Sequence, residues 1–219
     1  MNTDFSQVIQ TLSVAIIPVL FAITLHEVAH GWAARLKGDR TAEMLGRLSL
    51  NPIKHVDPVG TILVPMVMVL VSGFMFGWAK PVPVAFGNLN NPKKDMIFVA
   101  AAGPAANIVM AFLWAVLLKV VLLAGGGGSP VPEFLRGMAE IGIFFNVLLA
   151  VFNLLPIPPL DGGRVLRGLV NESIGRQLDR MEPFGLIIVV GLLFLGWLWP
   201  LVRPAMDVVQ RLILSLVGL

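Results

Sequence analysis

His26 and His30 stand four residues apart in the run Leu25-His26-Glu27-Val28-Ala29-His30-Gly31, with Glu27 between them. On a helix, positions i and i+4 project from one face, so two imidazoles at this spacing can bind a single zinc ion. Glu27 is placed beside them to take a proton from a metal-bound water. All three side chains fall inside an apolar stretch of membrane length, where ionisable groups are costly and a functional role is the default reading. A catalytic zinc site wants three protein ligands and one open position. The candidates for the third are His55, Asp57 and Asp161. Local chemistry favours Asp161, which follows a membrane segment through Pro156-Ile157-Pro158-Pro159 and precedes Gly162-Gly163, where little side-chain bulk obstructs the approach of a carboxylate.

The elements that must position these groups are membrane helices. Hydrophobic residues make up 57% of the 219, and charged ones only 13%, which excludes an ordinary soluble domain and places the chain among polytopic membrane proteins. No charged n-region and small-residue cleavage site open the sequence, so no cleavable signal peptide is expected. With no cysteine, disulfides and thiolate metal sites are excluded. The net charge of +3 suits loops rich in Lys and Arg, and the absence of a basic run gives no reason to invoke nucleic acid.

Apolar segments are read at Val8–Leu36, Val59–Phe76, Met96–Ala124, Ile141–Leu155 and Phe184–Leu201, with Pro204–Leu219 either crossing or lying on the surface. The expected fold is therefore an all-α polytopic membrane protein of about 5–6 membrane segments, forming one domain over residues 1–219. Asp57-Pro58 and Asn91-Pro92 read as helix starts, each a capping residue followed by proline at the first helical position. Arg47-Leu48-Ser49-Leu50 alternates like a short strand, and Pro81 and Pro83 force Lys80–Val84 to be extended, so short β-strands are expected near the site. The connections at 35–57, 77–95 and 161–182 carry five, three and four Lys or Arg. They share one face, the cytoplasmic one, only if Val59–Phe76 is a re-entrant hairpin bent at Pro65 and Gly73. Residues 164–182 read as a polar, partly amphipathic stretch lying at the interface.

Three motifs then combine: His26-Glu27-Val28-Ala29-His30, Gly103-Pro104-Ala105-Ala106-Asn107, and Asn153-Leu154-Leu155-Pro156 through Asp161-Gly162-Gly163-Arg164. Together, over residues 25–167, they resemble the site-2 protease family of intramembrane zinc metalloproteases, in its compact bacterial form without a PDZ or CBS domain. The resemblance implies that His26, His30 and Asp161 hold one zinc ion, that Glu27 is the general base, and that Asn153 helps stabilise the oxyanion. It further implies a membrane-protein or membrane-peptide substrate cleaved within the bilayer, with the active site nearer the cytoplasmic face. Plainer readings stand beside these: His55 as structural, Asn153 as satisfying backbone at a helix end, Asn107 as interhelical glue, Gly103 and Pro104 as close packing, Arg164 and Arg167 as interfacial anchors. Two rival classes would also place imidazoles and carboxylates in a membrane. A metal transporter would need a second polar relay, and a non-proteolytic zinc-binding scaffold would need a closed four-ligand site.

Overall fold

The computed structural model describes residues 5–64, 66, 67, 77, 79–125 and 130–219. Among these, seven α-helices carry the fold: α1 (Phe5–Leu36), α2 (Thr41–Met44), α3 (Pro92–Leu123), α4 (Pro130–Asn153), α5 (Asp161–Leu169), α6 (Glu172–Phe194) and α7 (Trp199–Val217). A 3-10 turn at Pro52–His55, a π-helical turn at Pro58–Leu63 and a second 3-10 turn at Phe86–Asn88 lie between α2 and α3. The two expected helix starts are present. Asp57 Oδ1 accepts from the amides of Val59 (2.9 Å) and Gly60 (2.7 Å), satisfying donors that open the π-helical turn. At α3, Pro92 occupies the first turn and Asp95 Oδ2 accepts from the Asn91 amide at 2.7 Å.

α1 from Ser13, α3, and α4 from Val131 are each long and apolar enough to cross a membrane. α6 and α7 meet that test only as a pair, bent by 86° at the break between them. Gly196 sits in this break at φ +71°, a conformation that favours a residue without Cβ. The described residues thus supply three spans, or four if the bent pair counts as one, rather than five to six. The apolar run Phe184–Leu201 looked like one span, but the chain turns within it and shares it between α6 and α7. Residues 204–217 belong to α7. Beyond its opening turn, most of the re-entrant hairpin expected over Val59–Phe76 lies outside the described residues.

The short β-strands are a second correction: no strand occurs among the described residues. Residues 80–85 run without helix, but their backbone groups are committed elsewhere, so no ladder forms. The Lys80 amide donates to His55 O (2.9 Å), the Val82 amide to Glu27 Oε2 (2.7 Å), and Pro81 and Pro83 have no amide hydrogen to offer.

α3 is the central element, packing against α1, α4, α5 and α7. The largest buried cluster joins Ala111, Ala115 and Leu118 of α3 to Ala139, Ile143 and Val147 of α4, closed by residues of α6 and α7. Lipid tails are as apolar as these side chains, so the gain is close packing, and fully buried alanines let helices approach. At the polar end, Arg167 of α5 pairs with Asp179 (2.8 Å) and Glu172 (3.2 Å) of α6. Arg164 lies 3.7 Å from Glu182 and also covers the Phe86 ring. These two arginines tie α5 to its neighbours.

Candidate metal centre

The site begins where α1 crosses α3. His26 and His30 lie one turn apart and are both buried, with their rings edge to face. The surface they meet on α3 is built by Val99, Gly103 and Asn107, spaced at four-residue intervals along one face. Val99 supplies a backbone carbonyl, Gly103 a gap and Asn107 a carboxamide. The gap is needed: a Cβ on Gly103 would fall 2.4 Å from His30 Nε2 and 2.7 Å from His26 Cε1. Close packing was the expected role of Gly103, and what packs into it is the imidazole pair.

Each ring turns its Nδ1 to an acceptor on α3. His30 Nδ1 lies 2.8 Å from Val99 O, and His26 Nδ1 lies 2.6 Å from Asn107 Oδ1. A nitrogen facing a carbonyl oxygen must carry the hydrogen, which leaves a lone pair on each Nε2 when the ring is neutral. Those two Nε2 atoms are 3.1 Å apart. Asp161 Oδ2 completes the group, 3.2 Å from His26 Nε2 and 3.3 Å from His30 Nε2.

The carboxylate arrives by way of the proline-rich turn after α4. Asp161 is the first residue of α5, and the two glycines behind it let α5 sit directly on that turn. A Cβ on Gly162 would lie 2.2 Å from Leu154 O, and one on Gly163 2.6 Å from Pro158 N. The glycines therefore clear the turn's own backbone, a different reason from the one read in the sequence.

Three electron-pair donors converge on one point inside the protein. Asp161 Oδ2 is buried and finds no hydrogen-bond donor among the described residues, an expensive condition for a carboxylate oxygen unless a cation faces it. A tetrahedral zinc with bonds of about 2.0–2.1 Å would space its ligands about 3.3–3.4 Å apart, close to the separations seen here. The second hydrogen bond made by each ring is the usual companion of a metal-binding histidine. The donor set thus fits a zinc-type cation. Among the described residues, His26, His30 and Asp161 form the group of His and carboxylate side chains able to hold a metal.

The remaining candidates fall at different distances from this centre. Glu27 is half-buried and accepts the Val82 amide on Oε2. A Cβ on Gly31 would meet Leu48 at 2.4 Å and Val82 at 2.9 Å, so both extended segments lie against α1 at Gly31, one turn on from Glu27. Arg47 Nη2 reinforces that layer by donating to Lys80 O at 2.9 Å. Asn153, at the end of α4, donates its amide to Leu149 O (3.0 Å), one turn back on its own helix. His55 is buried away from the centre, with Nε2 on Ser49 O at 2.8 Å, and Asp57 is occupied as a cap. Asn146 was missed in the sequence. It is fully buried on α4 and hydrogen-bonded to Asn107 at 2.9 Å. The signal for it was an amide in the middle of Phe144-Phe145-Asn146-Val147, a polar group within a membrane segment.

Comparison with known proteins fits this geometry. The model of peptidase family M50 matches residues 14–137 and 128–196. YwhC of Bacillus subtilis, assigned by its name to the zinc metalloproteases, is 39% identical over 204 residues, spanning 90% of this chain and 89% of its own. Rip2 of Mycolicibacterium smegmatis, assigned likewise, is 34% identical over 175 residues, or 80% of this chain and 64% of its own. The zinc metalloprotease RasP of Bacillus licheniformis is 34% identical over 58 residues, 26% of this chain and 14% of its own. No solved structure matches the chain.

Proposed function

The chain belongs to peptidase family M50, the site-2 protease family, and from that premise we propose that it hydrolyses peptide bonds within or near transmembrane segments of membrane proteins. The observation that carries the reading is the convergence of His26 Nε2, His30 Nε2 and Asp161 Oδ2, three lone-pair donors buried among membrane helices. These residues hold one zinc ion per chain. When bound, zinc supplies Lewis acidity and lowers the pKa of a water to about 7.

Glu27 takes the proton from the attacking water and returns it to the leaving amine. Its Oε2 already accepts the Val82 amide, which fixes the carboxylate and leaves Oε1 to receive the proton. Asn153 donates to the oxyanion after rotating away from Leu149 O, the role implied by family resemblance. The substrate must present a carbonyl that an intact helix would keep in an i to i−4 hydrogen bond, so it is cleaved after local unwinding. Residues 47–50 and 80–84 lie across α1 beside Glu27 and can line the path of an unwound segment. The whole of residues 1–219 forms one membrane-embedded domain. Its basic connections lie on the cytoplasmic side, so the zinc is nearer that face.

Glu27→Gln tests the assignment. The variant should retain zinc at the level of the parent while its cleavage of a membrane peptide falls at least about 10²-fold, the scale of lost general-base catalysis. A purified Glu27→Gln protein that still cleaves at the parental rate would refute the proton-transfer role. Comparing membrane proteomes of cells with either form, for fragments ending inside a predicted span, would show which substrates it acts on.

A further inference from the structure

Among the hydrogen bonds around the site, one chain runs across three helices and has a direction that can be worked out atom by atom. It starts at a backbone carbonyl, Gly142 O on α4, which can only accept. Asn146 Nδ2 lies 2.8 Å from that oxygen, so the amide end of Asn146 faces Gly142 and its Oδ1 faces the other way. That Oδ1 lies 2.9 Å from Asn107 Nδ2, which also donates to a second fixed acceptor, Ala22 O on α1, at 3.1 Å. With both acceptors on its nitrogen side, Asn107 must present Oδ1 to His26, and His26 Nδ1 must then be the protonated nitrogen. Reversing Asn107 would set its oxygen against both Ala22 O and Asn146 Oδ1, and reversing Asn146 would set its oxygen against Gly142 O and its nitrogen against Asn107 Nδ2. Asn107 and Asn146 are fully buried, so water offers no alternative partner.

We infer that Asn107, held in one orientation by Asn146 and Ala22 O, is a positioning residue that locks His26 as the Nδ1–H tautomer and aims its Nε2 lone pair at the metal. The inference rests on the proposed role of His26 as a ligand and adds the device that makes it a competent one. His30 needs no such device, because its acceptor, Val99 O, is backbone and cannot turn over. The asymmetry explains why two amide side chains are kept inside an otherwise apolar contact between α3 and α4. Interhelical bonding alone would need only the Asn107–Asn146 pair. Placing the Asn107 oxygen on an imidazole gives that pair a second task.

The test uses the purified full-length protein in detergent, stripped of metal and titrated with Zn2+ against a chromophoric chelator. Asn107→Leu should weaken zinc binding about 10–100-fold, the usual effect of removing the outer partner of a ligating histidine. It should also alter the visible bands of the Co2+-loaded protein, which report ligand geometry. In a His26→Ala background the same substitution should cost no further affinity, because the imidazole it acts through is gone. Asn146→Leu should give a smaller loss of several-fold, since Ala22 O still restrains Asn107, and this too should vanish in the His26→Ala background. The Asn146 pair of variants decides the matter if Asn107→Leu does not fold. Parental zinc affinity in the Asn variants, or an equal loss with and without His26, would overturn the inference. If His26→Ala alone bound zinc as tightly as the parent, the metal-site reading itself would fail.

Discussion

Gly103→Ala asks for the smallest change with the largest local consequence. The added methyl would stand 2.4 Å from His30 Nε2, 2.6 Å from His30 Cε1 and 2.7 Å from His26 Cε1, where ordinary contact is 3.4–4 Å. The imidazole pair must therefore retreat by about 1 Å, or α1 and α3 must separate by that much. Metal–ligand bonds tolerate about 0.2 Å, and a misplacement of about 1 Å at a reacting centre costs about 10²-fold in rate. Two terms bear on stability and nearly cancel. Alanine is favoured over glycine inside a helix by about 1 kcal/mol, while overpacking a close contact costs about 1–3 kcal/mol. The expected protein is thus folded, melts within a few degrees of the parent, and has lost most of its zinc and at least about 99% of its cleavage activity. Metal analysis of the purified variant, a thermal melt and a membrane-peptide cleavage assay measure the three quantities. Gly191→Ala, at a helical position with no neighbour within 4 Å, is the control and should match the parent in zinc content and cleavage while melting at or slightly above the parental temperature. A Gly103→Ala protein carrying a full complement of zinc and cleaving normally would show that the imidazoles do not rest against α3, and the geometry argued above would be wrong.

Two further substitutions probe the elements that hold the site. Gly162→Ala would place a methyl 2.2 Å from Leu154 O and 2.3 Å from Leu155 O, both backbone atoms that cannot rotate away. It should cost about 1–3 kcal/mol of stability and displace Asp161, read as a lower melting temperature with reduced zinc content; a parental value for both would refute the packing argument. Asp39, fully buried in the turn after α1, ties that turn to the segment before α3. Its carboxylate accepts from the Ala85 amide (2.7 Å), the Thr41 amide (3.0 Å) and the Asn88 carboxamide (3.2 Å). Burial pushes its carboxyl up, but the Thr41 hydroxyl and these donors outweigh that and hold it below the ordinary carboxylate value. A depressed folded-state pKa means stability present above the unfolded value of about 3.9 and lost as pH falls below it. Melts of the parent should therefore be steeper in acid than those of Asp39→Asn, which should itself be less stable near neutrality by about 1–3 kcal/mol. Identical acid slopes in the two proteins would remove Asp39 from the account.

The sequence determined the chemistry because it resides in residue types at short spacings. His26 and His30 at i and i+4 needed only a helix to share a face, and composition made that helix a membrane one. Asp57 announced its helical turn for the same reason, since a cap is satisfied within a few residues, whereas the Asn91 side chain caps nothing and Pro92 marks that start. What depended on long-range placement was decided by the tertiary structure. The approach of Asp161 to the imidazoles, 131 or more residues away in the chain, follows from α5 seating on the turn before it through Gly162 and Gly163. The break at Gly196 and the missing strands at 80–85 were illegible because an apolar run does not show where it bends, and an extended segment does not show which partners take its amides. Asn146 illustrates the limit most directly. An isolated amide in an apolar helix says only that some partner exists, and three helices had to come together before that partner was Asn107 and, through it, His26.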